Sequence, residues 1–210
     1  MKRALLLLTF FTASTLALPT SAQSTEGVFV NGQLGRSNLD QVSFSDHDTA
    51  WSINAGYRWS LSAKVLFGLE AGYLDLGEFE SRTWIVTGGS NDNYPHIGRD
   101  KLHGWAAGLN VHIDITPEWY FSARGGYFHG ERRTNFPTYQ GDIVAFTNLT
   151  KETSNKWYVG AGFGYNLNPN ISVGLHYDRY KIGHQPSLKN GYHWYKLNPK
   201  VLSLRVEHRF

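Results

Sequence analysis

Ten ionisable residues recur at even spacings inside segments that otherwise alternate apolar with small or polar side chains: Arg58, Glu70, His112, Asp114, Arg124, His176, Asp178, Arg205, Glu207 and Arg209. Two chemistries suit such a set. His176 and Asp178 stand two apart, so on a strand they share a face. A histidine beside a carboxylate becomes the base and orienter of a nucleophilic relay once a serine approaches. The alternative is mutual neutralisation. Arginine and carboxylate form charge-assisted hydrogen bonds, and a charge withdrawn from water must be paired or hydrated, because an isolated buried ion costs several kcal/mol. Glu70 and Arg124, with further positive charge from Arg58 and Arg205, point to an interior charge network that also takes in Asp114, His176, Asp178 and Glu207.

Other chemistries find less support. The chain has no cysteine, which removes disulfide and thiolate chemistry. His47 with Asp48, and His184 with His193, lack the tight spacing of a metal site, so no metal or cofactor is expected. Formal net charge is +3 and falls to +1 once a leader carrying Lys2 and Arg3 is removed. A nucleic-acid partner would need a larger basic excess.

The elements that must hold these residues show a period of two. Trp51, Ile53, Ala55, Tyr57 and Trp59 alternate with Ser52, Asn54, Gly56 and Arg58. The same alternation runs through residues 65–73, 102–115, 119–127, 157–166 and 171–180, more weakly through 27–36, and through the last ten residues, 201–210. That makes eight strands without a helical interlude. Three connections are short, at 60–64, 116–118 and 167–170, and Thr116-Pro117-Glu118 and Asn168-Pro169-Asn170 supply turn chemistry. Four are long and polar, at 37–48, 79–100, 131–155 and 183–199.

Aromatic residues sort by this topology. Trp51, Tyr73, Trp105, Tyr127, Trp157 and Tyr177 fall at the long-loop ends, and Trp59, Phe67, Trp119, Tyr165 and Phe210 at the short-turn ends. Two aromatic girdles, short turns on one side and long loops on the other are the signature of a transmembrane β-barrel. Residues 1–22 add a basic start, an apolar run and Thr20-Ser21-Ala22, the order of a secretory signal peptide, leaving one domain at 23–210. The expected fold is therefore all-β, an eight-stranded antiparallel up-and-down barrel in the bacterial outer membrane. A soluble ligand-binding barrel of the lipocalin kind would instead turn the apolar faces inward and the Arg58, Glu70, Arg124 and Arg205 face outward.

Signal peptide, eight alternating strands and the terminal Phe210 together resemble the small outer-membrane barrels of the OmpA transmembrane-domain and OmpX/Ail type. The resemblance implies a monomeric envelope protein without catalysis, with a structural role or with adhesion and host-factor binding through its loops. It further implies that Leu202, Leu204, Val206 and Phe210 form the signal read by the barrel-assembly machinery. Gly88 to Pro95 reads as a loop tip, and Arg132, Arg133, Phe136, Tyr139 and Phe146 as contact surface for a host-surface ligand. Arg36, Arg179 and Lys181 fall on the outward side at the external rim, a level suited to lipopolysaccharide phosphates. Two alternatives stay open. One is a lipid A-modifying enzyme, although no histidine here is followed by serine two residues later, the pattern lipid A deacylases resemble. The other is a small gated pore, although eight strands enclose little more than their own side chains and a plugged, water-containing core without a general channel is expected.

Overall fold

Backbone pairing converts the alternating segments into a closed barrel. The computed structural model describes residues 24–38, 47–85, 94–140, 143–181, 183–184 and 196–210. The leader, most of the loop tip at 88–95, and His193 and Lys189 lie outside them. The strands are β1 (Gly27–Asn38), β2 (His47–Ser62), β3 (Val65–Ile85), β4 (Tyr94–Asp114), β5 (Trp119–Gln140), β6 (Ile143–Asn166), β7 (Ile171–Tyr180) and β10 (Lys200–Arg209). A two-stranded ribbon, β8 (Gly183–His184) with β9 (Lys196–Leu197), precedes the last strand.

Each barrel strand pairs antiparallel with its sequence neighbour, and β1 closes on β10, from Phe29 opposite Arg209 to Asn38 opposite Lys200. Closure leaves no open edge within the barrel, the condition for sheet structure in a bilayer, where no water can satisfy a free amide. Alternation then sorts the faces. Along β7 and β10 burial switches residue by residue, and Leu175, Tyr177, Leu202 and Leu204 point outward while His176, Asp178, Ser203 and Arg205 point inward. Both girdles ring the outside. Trp51, Tyr73 and Trp105 touch in sequence at 5.8 and 5.3 Å between ring centres, and at the opposite end Trp119 packs on Phe163 and Tyr165 at 5.1 and 5.0 Å.

Two of the four long loops expected from sequence are largely strand. The 79–100 connection continues the β3–β4 ladder up to Ile85 opposite Tyr94, and 131–155 continues the β5–β6 ladder up to Gln140 opposite Ile143. The sequence reading ended these strands where alternation fades. Above the bilayer no face must be apolar, so the ladder persists without the apolar alternation. The first long connection also shortens, because Asn38 pairs with His47. β3 to β6 therefore rise together as a four-stranded wall beyond the end of β7. A register shift between Asp75 and Glu78 marks its base on β3, where Asp48 Oδ2 accepts from Glu78 N at 2.6 Å.

Inside, an apolar cluster of Leu74, Leu76, Phe79, Leu102, Phe128, Tyr158, Tyr180 and Val201 fills the wall end of the lumen. The charged residues occupy the remainder.

Candidate functional site: the charged lumen and the external rim

Two arginines organise the lumen. Arg124, from the middle of β5, reaches past Gly160 to Asp178 on β7, bonding Nε to Oδ1 at 2.7 Å and Nη2 to Oδ2 at 2.8 Å. Its Nη1 lies 3.3 Å from Glu70 Oε1, which also accepts from the Tyr158 hydroxyl at 3.0 Å, while Nη2 donates to the Tyr180 hydroxyl at 3.2 Å. Gly160 is required here: a Cβ at that position would overlap the Asp178 carboxylate.

Nearer the short turns, Arg58 from β2 grips Glu207 on β10 through Nη1 at 2.5 Å and Nη2 at 3.0 Å, donates Nε to Asn110 at 2.6 Å, and stacks over Phe29 at 4.0 Å. Arg205 lies between the two clusters. With the Gln33 amide oxygen turned toward it, Arg205 donates to that oxygen from Nε at 2.9 Å and Nη2 at 2.5 Å, and the amide nitrogen donates onward to Ser203 and Asp178. Four arginines (58, 124, 205 and 209) thus share the lumen with four carboxylates (70, 114, 178 and 207), all of them buried.

Asp114 and His176 sit differently from the rest. Among the described residues no arginine contacts Asp114; its carboxylate accepts from Ser24 N and Ser24 Oγ, both at 2.9 Å, and from Asn166 at 3.0 Å, with His112 Nε2 at 3.1 Å. His176 shares a face with Asp178, but both Asp178 oxygens are committed to Arg124 and His176 Nε2 is buried without a partner. The base-and-orienter pair that their spacing would allow does not form, because a guanidinium across the barrel outcompetes an imidazole on the same strand, and His176 stays in the polar interior.

Ser24, Gln33, Asn110, Asn166, Tyr158 and Tyr180 are the residues that sequence reasoning missed. Neutral polar side chains carry no charge signal, and Ser24 precedes the first strand. Ser24, His112 and Asp114 have triad composition without triad geometry: Ser24 Oγ at 2.8 Å and Asp114 Oδ1 both approach His112 Nε2, whereas a relay places the acid on the other ring nitrogen.

At the external rim, Arg36, Arg179 and Lys181 are all exposed on the outer face. Arg179 stands opposite Lys200, and Lys181 Nζ lies 5.4 Å over the Trp157 ring. On the wall, Glu131 receives Lys151 Nζ at 2.7 Å and Arg133 Nε at 2.6 Å, with His103 Nε2 at 3.7 Å. The hydrogen bonds from Lys151 and Arg133 hold its carboxyl down at about 2. Arg132, expected as contact surface, turns inward and is buried, since strand alternation continues past the membrane. Phe136 and Tyr139 belong to β5 and Phe146 to β6. Leu202, Leu204, Val206 and Phe210 all face outward.

Residues 4–210 match the family model of the outer membrane protein beta-barrel domain. The chain belongs to that family. Among solved structures it is similar to the outer membrane protein OprG of Pseudomonas aeruginosa, with a TM-score of 0.55 at 15% identity, over 90% of this chain and 98% of that one. It is also similar to Neisserial surface protein A, at 0.50 and 15% over 88% and 97%, and to the outer membrane protease OmpT of Escherichia coli, at 0.54 and 10% over 91% and 100%. No curated protein matches. At these identities the likeness extends to the fold, and the family member's own residues must carry any argument about its role.

Proposed function

We propose that this outer-membrane barrel is a non-catalytic envelope protein whose specific contacts are made by its external wall. The observation that carries the reading is the extension of β3 to β6 beyond the bilayer-level girdle. β5 runs on from Tyr127 to Gln140, roughly 40 Å of strand at about 3.3 Å per residue. No described strand pairs with β6 from Ile143 to Lys156 on the side away from β5. An unpaired strand edge offers backbone donors and acceptors to a protein ligand, and a rigid sheet limits the entropy lost on binding. This suits adhesion or host-factor binding.

The lumen supports the same reading. Its strongest ion pairs, Arg124 with Asp178 and Arg58 with Glu207, are internal, and an apolar cluster fills its outer end. The barrel acts as a stable monomeric base for the wall. Arg36, Arg179 and Lys181 take lipopolysaccharide phosphates at the rim, and Leu202, Leu204, Val206 and Phe210 present the outward apolar ridge used in assembly.

The test is a pull-down from host surface proteins with cells displaying the native barrel and cells displaying one shortened by residues 80–99 and 134–151. Capture lost with the wall supports the reading; equal capture overturns it. Lipid A mass spectra from cells with and without the protein should be identical, and a new lipid A species would establish the enzymatic alternative instead.

A further inference from the structure

At the short-turn end of the lumen, which faces the periplasm in an outer-membrane barrel, a segment belonging to no strand enters the barrel mouth. Ser24, Thr25 and Glu26 precede β1, and Ser24 is only 8% exposed. Gly27 makes the inward turn. Its φ of +145° lies in the region other residues avoid, and a Cβ there would stand 2.7 Å from the Phe210 carbonyl oxygen. From that turn the chain enters the barrel mouth, where Ser24 bonds to Asp114 and His112 as described above. Glu26 Oε2 supplies a second tether by accepting from Ser60 N at 3.1 Å, near the end of β2.

Two features separate this segment from ordinary strand-end packing. It has no ladder partner, so its release breaks a few side-chain hydrogen bonds and leaves the sheet intact. It also stands directly before the charged lumen. Asp114 connects through Asn166 to Arg209, whose Nη2 donates to Asn166 Oδ1 at 2.9 Å and whose Nη1 is buried without a hydrogen-bond partner. An unfilled donor on a buried guanidinium favours water as soon as water can reach it.

We propose that residues 24–26 are a periplasmic latch: seated through Ser24 on Asp114 and His112 they seal the charged lumen, and unseated they admit water and small hydrophilic solutes to Arg209 and Glu207. The apolar cluster at the wall end remains shut in both states. The opening is therefore a one-sided vestibule on the periplasmic side.

The absence of cysteine makes the latch measurable. Ser172→Cys places a reporter on β7, inward and 1% exposed at the short-turn end, and Ser52→Cys places one nearer the apolar cluster. Each is introduced into the full chain, refolded in phospholipid vesicles and treated with a small cationic methanethiosulfonate. Ser24→Ala removes two of the latch bonds, and Gly27→Val removes the turn. We expect the Ser172→Cys reporter to react at least tenfold faster with either latch change, the Ser52→Cys reporter to react at its original rate, and the compact band of the unheated barrel on gels to persist. Equal Ser172→Cys rates with and without the latch changes overturn the proposal. So does a parallel rise at Ser52→Cys, which marks general loosening. Should Gly27→Val lose the compact band, Ser24→Ala decides alone, since it deletes one hydroxyl and leaves every strand pair in place.

Discussion

Arg124 and Asp178, 54 residues apart, meet through two parallel hydrogen bonds of 2.7 and 2.8 Å inside the barrel, with side chains 4% and 1% exposed. The geometry is bidentate, which fixes orientation as well as distance. Glu70 shares the same guanidinium, so the lumen is cross-linked from β3 through β5 to β7.

Breaking that pair from one side should be expensive. Asp178→Ala leaves Arg124 buried with its strongest partner gone, and we expect a loss of about 3–5 kcal/mol, the range for an uncompensated buried charge. The combined change Arg124→Met with Asp178→Leu should lose less than the two single changes summed, because neither member of the pair is left facing the other's absence, although Glu70 then keeps only the Tyr158 hydroxyl. Urea unfolding in detergent or lipid measures both, and an additive double variant would remove Arg124 from its organising position.

Space for the network depends on glycine. Gly160→Val would drive a side chain into the Asp178 carboxylate, and we expect destabilisation similar to Asp178→Ala, with the two changes strongly non-additive. Thermal melting of the single and double variants tests this. Independent effects would mean that Gly160 serves some purpose other than making room for Asp178.

The wall should respond to acid through Glu131. Its carboxyl sits near 2 rather than the ordinary 4.5, first because Lys151 donates to it and then because Arg133 does. A folded-state value below the unfolded one means that the stabilisation is complete above pH 4.5 and is lost as pH falls toward 2. Glu131 is partly exposed, so the effect belongs to the wall alone. Amide exchange in β5 and β6 near residues 131 and 151 should accelerate in that window, and Glu131→Gln should abolish the pH dependence.

At the rim, Arg179→Glu with Lys181→Glu should reduce the thermal stability gained on moving the barrel from detergent into lipopolysaccharide bilayers. The same variant should behave like the parent in neutral phospholipid. Unchanged stabilisation by lipopolysaccharide would place its contact elsewhere on the barrel.

Shortening the ending, by Phe210→Ala, should slow assembly on cells without changing the final barrel. The compact band would appear late and reach its usual intensity. Phe210 is 70% exposed and makes a ring contact of 4.5 Å with His208, so its loss removes little packing.

Much of this fold could be read from period and spacing. A two-residue repeat says which side chains share a face, so Leu202 and Leu204 could be placed outside and Arg205 and Glu207 inside before any pairing was known. Girdle aromatics gave the strand direction, because Trp157 and Tyr165 must sit at opposite interfaces. The wall was missed, because strand above the bilayer needs no alternation, and the amino-terminal segment was missed because it has no repeat at all.

The linear chain therefore determined the class, the strand count, the inward and outward faces and the set of buried charges. Only the tertiary structure decided how those charges pair: Arg58 with Glu207, Arg124 with Asp178 rather than with Glu70 foremost, and Asp114 with Ser24 rather than with an arginine. The reason is range. Which way a side chain points is set by its own backbone and a neighbour two residues away, whereas its partner is set by barrel closure and register, which bring together residues 54, 90 and 149 positions apart.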